Sequence, residues 1–231
     1  MLTRRIAQPF QWLLERIVAG IAATGVPPNL LTWSSLILNL WAGILFGAGR
    51  FAAASGMMIF AGFFDIVDGP VARKQRRVTV FGGFLDSILD RYSDLILFLG
   101  LLIYYSQVNR FAYACLAGIA MSGAVMVSYA RARAESLIGK VEVGFWERPE
   151  RIVLMIIGGL ANRMPLALWV LAIGPNITVI HRIIYTWQRT KAEPEADEAA
   201  IAQANAQREI SAAHDVRDVP ALISRTAHRG G

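Results

Sequence analysis

Five aspartates stand in one stretch of otherwise apolar chain, and their spacing is the feature best suited to chemistry. The stretch reads Phe64-Asp65-Ile66-Val67-Asp68-Gly69-Pro70-Val71-Ala72-Arg73 and, after eight further residues, Gly82-Gly83-Phe84-Leu85-Asp86-Ser87-Ile88-Leu89-Asp90-Arg91-Tyr92-Ser93-Asp94. A carboxylate inside a transmembrane helix costs on the order of 2.5–3.5 kcal/mol even on lenient insertion scales, so several together require a shared counter-charge or water. Asp65 and Asp68 stand at i, i+3, while Gly82, Asp86, Asp90 and Asp94 stand four apart, and each set forms one face of its helix. The two faces can converge on bound cations. The alternative, aspartates at helix ends paired with Arg73, Arg91 and their neighbours, accounts for any one of them but leaves the adjoining glycines without a purpose.

The metal would have to be held by oxygen. Cys115 lies alone in an apolar run, and His181, His214 and His228 form no ligand spacing. Oxygen ligands select Mg²⁺, Mn²⁺ or Ca²⁺ over zinc or copper, and a carboxylate-bridged metal pair neutralises both the attacking and the leaving oxygen in phosphoryl chemistry. Gly69 and Ala72 remove bulk beside Asp68, and Gly82 does so one turn before Asp86, so a flat ligand can approach the backbone. Gly83 reads as an ordinary helix-packing glycine.

A second group is cationic. Ser128-Tyr129-Ala130-Arg131-Ala132-Arg133-Ala134-Glu135 is followed by Gly144-Phe145-Trp146-Glu147-Arg148-Pro149-Glu150-Arg151. Guanidinium forks match phosphate oxygens, so Arg131, Arg133, Arg148 and Arg151 are candidates to hold an acceptor that carries its own phosphate. The alternative is membrane anchoring with local i, i+4 pairs, Glu147 with Arg151 and Arg131 with Glu135.

The elements that must position these groups are membrane helices. Of 231 residues, 55% are hydrophobic and only 17% charged, too apolar for an ordinary soluble domain. Apolar stretches at about 30–48, 52–68, 82–105, 111–133, 150–161 and 165–187 predict an all-α integral membrane protein of six transmembrane helices. The fifth is short, broken by Ala161-Asn162-Arg163-Met164-Pro165, and its charged end is expected to face protein or a watery cavity. Residues 2–24 alternate polar and apolar and lack the continuous core of a signal peptide, which predicts an amphipathic helix on the membrane surface. Arg50, Arg110 and Arg163 fall in the connections on one side and the remaining basic residues towards the other. The positive-inside rule makes that other side cytoplasmic, with both termini and the active site there, in a multi-pass protein of the cell membrane. The chain thus divides into a juxtamembrane helix (1–26), a six-helix domain (27–190) and a polar, Ala- and Glu-rich cytoplasmic tail (191–231) expected to be disordered. No nucleic-acid partner is expected.

At this point the resemblance is specific. The aspartate run matches D-x2-D-G-x2-A-R-x8-G-x3-D-x3-D, the signature of the CDP-alcohol phosphotransferase family, at every fixed position. The resemblance implies that Asp65, Asp68, Asp86 and Asp90 hold two Mg²⁺ or Mn²⁺ ions, that Asp90 is the general base, and that Asp68, Gly69, Ala72, Arg73 and Gly82 meet the CDP group. Pro27-Pro28-Asn29-Leu30-Leu31-Thr32 resembles the family's P-N-x-x-T helix start, which adds Asn29 and Thr32 to the CDP set, and Thr79 aligns with a further nucleotide contact. For Asn29 the alternative is a plain helix cap.

The A-R-A-E and E-R-P-E-R segments are similar to those of bacterial phosphatidylinositol-phosphate synthases, a likeness that runs over roughly residues 25–188. It implies CDP-diacylglycerol and inositol 1-phosphate as substrates, Arg182 as a further acceptor-phosphate contact, and a homodimer. Arginine stands at Arg131 where those enzymes have lysine, which keeps the charge and changes the geometry. Other acceptors remain open, glycerol 3-phosphate or a reaction of CDP-inositol with inositol phosphate. So does a divalent-cation transporter, which would leave Gly69, Ala72, Arg73 and Gly82 unexplained.

Overall fold

A computed structural model describes residues 2–191, and the expected polar tail beyond Lys191 lies outside the described residues. Seven helices and no strand are present among those described: α1 (Leu2–Ala23), α2 (Pro28–Gly47), α3 (Phe51–Lys74), α4 (Val80–Gln107), α5 (Phe111–Ile138), α6 (Arg148–Leu160) and α7 (Met164–Lys191). Helices follow from the apolar surroundings, because a chain in lipid must satisfy its backbone polar groups within itself.

Four of the helices, α2, α3, α5 and α7, are long and apolar enough to cross a membrane. The other two predicted spans depart for physical reasons. Helix α4 has the length, at 28 residues, but Asp86, Asp90, Arg91 and Asp94 crowd its first half. Helix α6 has 13 residues, roughly 20 Å at 1.5 Å per residue, and cannot cover a ~30 Å hydrocarbon layer alone. All-α membrane architecture is thus observed.

The starts of the helices are set by local chemistry. Pro28 opens α2 from an extended Pro27, where a missing N–H costs nothing. Thr79 caps α4 by accepting from Gly82 N at 3.0 Å. Glu147 and Glu150 form a reciprocal capping box on α6.

Small residues then let the helices close. A Cβ on Gly43 of α2 would stand 2.6 Å from Ile96 Cγ2 and 2.7 Å from Ile96 O of α4, so only glycine fits that crossing. Phe46, Met58, Leu97, Leu101, Ala120, Met155 and Leu171 belong to one buried cluster drawn from α2 to α7. A smaller cluster of Val18, Leu31, Val67 and Val71 fixes α1 beside α2 and α3. Gln75 Nε2 ties the turn after α3 to the end of α1, donating to Ala22 O at 3.2 Å and Val26 O at 3.1 Å. The result gathers the end of α3, the start of α4, the end of α5, the start of α6 and the last turns of α7 at one end of the bundle.

Candidate active site

Three cavities meet at that end. The first, about 230 Å³, lies between the start of α2, the end of α3 and the start of α4. Asn29, Thr32, Asp68, Gly69, Ala72, Arg73, Thr79 and Gly82 all line it, so the structure brings every residue expected to meet CDP to one place, with Asp86 beside them. Thr32 Oγ1 donates to Asp68 Oδ2 at 3.0 Å and fixes that carboxylate. Gly82 leaves room for the cap: a Cβ there would lie 3.0 Å from Thr79 Oγ1, a tight approach, and in ordinary contact, 3.6 Å, with Asn29 Oδ1. Asn29 is not a cap, since Pro27 holds that position and makes no side-chain bond. Gly83 is not a packing glycine either, because nothing lies within 4 Å of where its Cβ would be and it opens on the cavity.

The aspartates are held by arginine. Arg148 Nη1 donates to Asp65 Oδ2 at 2.6 Å and lies 2.9 Å from Asp90 Oδ1, so one cationic nitrogen already spans two helices' carboxylates. Asp65 and Asp90 thus face the apolar groove beside Arg148, while Asp68 and Asp86 line the first cavity. Among the described residues no three of these carboxylates are drawn in to metal-ligand distance as they stand. A divalent cation nevertheless fits the donor chemistry: the ligand atoms are carboxylate oxygens only, and Asp65 and Asp90 already share one cation. Arg73 and Arg91, the partners weighed for the aspartates from sequence, do not take that part; Arg91 donates to Ser87 O within its own helix.

The second cavity, about 460 Å³, is lined by Arg91, Arg131, Arg148, Arg151 and Arg182, with Asp90, Asp94, Glu135 and Glu147 also on its wall, so it is cationic by one charge. Arg133 stands apart. It is exposed and does not line the cavity, because a residue two positions from Arg131 points to the far side of α5. The pairing differs in part from the local one. Arg131 does bond Glu135, at 3.0 Å, but Glu147 joins Arg131 at 2.5 Å and Arg182 at 3.1 Å rather than Arg151. Arg151, 1% exposed, turns inward to Asp94 at 2.5 Å, and Arg182 donates to Val143 O and Val127 O at 2.9 and 2.6 Å. The charged start of α6 therefore does face protein and cavity.

Sequence reasoning placed Asp94 on the aspartate face without a role of its own, and it missed one cavity. Asp94, one turn beyond Asp90, anchors Arg151 and lies 3.9 Å from Arg148 Nε; its place on the four-residue ladder was the available signal. The third cavity, an apolar groove of about 680 Å³, is walled by Leu14 and Ile17 of α1, Met58, Gly62 and Ile66 of α3, and Ile152, Val153 and Ile156 of α6. Its polar end is Asp65, Asp90 and Arg148. No single segment announces it, since its apolar walls come from three elements and Asn39 of α2 and Asp90 of α4 complete it.

Comparison with known proteins agrees with this geometry. The family model described as CDP-alcohol phosphatidyltransferase matches residues 26–183. The archaetidylinositol phosphate synthase of Methanothermobacter thermautotrophicus is 36% identical over 189 residues, covering 79% of this chain and 94% of that one. The phosphatidylinositol phosphate synthase of Streptomyces avermitilis is 32% identical over 220 residues, covering 87% and 88%. The crystal structure of Mycobacterium tuberculosis phosphatidylinositol phosphate synthase with CDP-DAG bound superposes with a TM-score of 0.70 at 28% identity, over 75% of this chain and 93% of that one. The same enzyme in complex with manganese and citrate gives a TM-score of 0.69 at 28% identity, over 75% and 88%. The chain therefore belongs to the CDP-alcohol phosphatidyltransferase family and is a membrane-embedded transferase of phospholipid synthesis.

Proposed function

We propose that this enzyme transfers the phosphatidyl group of CDP-diacylglycerol to inositol 1-phosphate, giving phosphatidylinositol phosphate and CMP. The observation that carries the reading is the position of Asp90, on the shared wall of an apolar groove and a cavity lined by five arginines, Arg91 among them. A lipid donor needs the first and a phosphorylated acceptor the second. A donor without acyl chains, such as CDP-inositol, would leave the groove unused. The names of the relatives, which join inositol phosphate to two kinds of lipid, support the same acceptor.

In this reading Asn29, Thr32, Gly69, Ala72, Arg73, Thr79 and Gly82 seat the CDP group, the small residues by leaving room and Arg73 by donating to phosphate. Asp65, Asp68, Asp86 and Asp90 hold two Mg²⁺ or Mn²⁺ ions. When bound, such ions supply positive charge to the pyrophosphate and to the departing CMP. Arg131, Arg148, Arg151 and Arg182 hold the acceptor phosphate, and exposed Arg133 takes no part. Asp90 accepts the proton of the attacking hydroxyl as the new oxygen–phosphorus bond forms and the bond within the pyrophosphate breaks. No covalent protein intermediate is needed.

The same reading places α2 to α7 as six membrane segments, with α4 and α6 completed by the watery site, α1 on the membrane surface, the site on the cytoplasmic side, and two copies as the working unit. The test is a product assay on purified enzyme with CDP-diacylglycerol and Mn²⁺, offering inositol 1-phosphate, glycerol 3-phosphate, free inositol and serine in turn. CMP release specific to inositol 1-phosphate is expected; turnover with glycerol 3-phosphate and none with inositol 1-phosphate would end the acceptor assignment and leave the reaction class standing.

A further inference from the structure

The ion pairs of the site are not equivalent. Arg131 and Arg182 are held by Glu147, and Arg151 by Asp94, none of them a proposed metal ligand. Arg148 alone of the four binds the proposed ligands, through Asp65 Oδ2 and Asp90 Oδ1. It also borders both the cationic cavity and the apolar groove. Its Nε, 3.9 Å from Asp94 Oδ1, is a buried donor without a hydrogen-bond partner among the described residues. A divalent cation drawn to the same carboxylate oxygens competes with the guanidinium, because the two positive charges repel at that range.

We propose that Arg148 is a positioning residue that couples the two halves of the site: a divalent cation competes with its guanidinium for Asp65 and Asp90, and the displaced guanidinium turns to an anion in the adjoining cavity. The inference rests on the metal-ligand reading given above. Asp94 keeps the freed side chain local, since it lies beside Nε and is itself anchored on Arg151. Freed from the two aspartates, the Arg148 guanidinium offers an unpaired charge to the cavity it already lines. Thermodynamic reciprocity requires that the anion raise metal affinity by the factor by which the metal raises anion affinity. The phosphorylated acceptor is thereby favoured only at a site already charged with metal.

The test uses the full chain in detergent, Mn²⁺ binding read by electron paramagnetic resonance, and sulfate as the anion probe. In the parent, saturating sulfate is expected to tighten Mn²⁺ binding about fivefold or more, the lower end of ordinary coupling between sites. Arg148→Gln is expected to bind Mn²⁺ about fivefold or more tightly than the parent without sulfate, having lost the competitor, and to lose the sulfate effect. Unchanged or weaker Mn²⁺ binding by the variant, or a sulfate effect that survives in it, overturns the proposal. If the variant does not fold, the parent decides: a sulfate-induced shift supports the coupling and no shift overturns it. Failure of the parent to bind Mn²⁺ at all removes the metal-ligand reading and the inference with it, a result distinct from Mn²⁺ binding that ignores Arg148.

Discussion

Asp94→Asn tests the buried side of the site most directly. Asp94 Oδ2 accepts from Arg151 Nη2 at 2.5 Å, with side chains 5% and 1% exposed. The other contact of the guanidinium is weak, Nη1 to Trp146 O at 3.5 Å, and Arg151 Nε has no hydrogen-bond partner among the described residues. Asparagine keeps an acceptor but removes the charge, so the arginine is left buried with nothing to neutralise it. Breaking a buried pair from one side costs about 3–5 kcal/mol. For a chain of this size each kcal/mol lowers the melting temperature by about 2–4 °C, so a drop of about 6 °C or more is expected. The assay is thermal unfolding of the detergent-solubilised protein followed by tryptophan fluorescence. The double variant Asp94→Leu/Arg151→Met removes both charges and is expected to recover most of the loss, because the desolvation cost disappears with them. A single variant melting within about 2 °C of the parent, or a double variant no better than the single, would show that the pair does not hold α4 to α6 as argued.

Gly82→Val is expected to raise the donor KM about tenfold or more, roughly 1.4 kcal/mol, by crowding Thr79 and Asn29, with the acceptor KM unmoved; equal donor KM in a CMP-release assay refutes it. Arg131→Ala should raise the acceptor KM about tenfold or more, the worth of a charge-assisted hydrogen bond, whereas Arg133→Ala should change it less than about twofold. Equal sensitivity at both positions contradicts the cavity assignment. Asp90→Asn should lower turnover by about 10²-fold or more while a fluorescent CDP-lipid still binds; parent-level turnover removes the proton-acceptor role.

The helices were legible because lipid leaves few alternatives: the apolar stretch at 30–48 becomes Pro28–Gly47, and that at 111–133 becomes Phe111–Ile138. The differences fall at charged ends. Helix α5 runs past its apolar stretch to Ile138, and Arg131 near the end of that stretch is neutralised by Glu135 and Glu147, a partner set that hydropathy does not register. The cavity proposed for CDP was legible in part from spacing, since Asp68, Gly69, Ala72 and Arg73 lie within two turns of α3, while Asn29 and Thr32 reach it only through tertiary packing. Charge pairing was the hardest to read. Glu147 and Arg151 are four apart, yet Glu147 is the N-cap of α6 and points back across the bundle to Arg182, so the i, i+4 rule does not apply to it. Arg133 shares a segment with Arg131 but not a face.

Of the six predicted spans, the two that fail the simple criteria for crossing a membrane are ones that make chemistry possible. Helix α4 carries Asp86, Asp90 and Asp94, and α6 begins with Arg148 and Arg151; each would be costly against lipid, and each is compensated by the other. Their mutual neutralisation creates a polar pocket next to the groove walled by Met58 and Ile66 of α3 and by Ile152, Val153 and Ile156 of α6. In the proposed reaction a lipid-borne diphosphate from that groove and a phosphorylated acceptor from the arginine cavity would meet where both open, at Asp90, Arg148 and Pro149. An apolar replacement of the pair Asp94 and Arg151 would therefore leave a sounder membrane helix and a poorer enzyme. The separation of those two effects, stability recovered and acceptor binding lost, is what distinguishes a site built from charge compensation from one merely tolerating it.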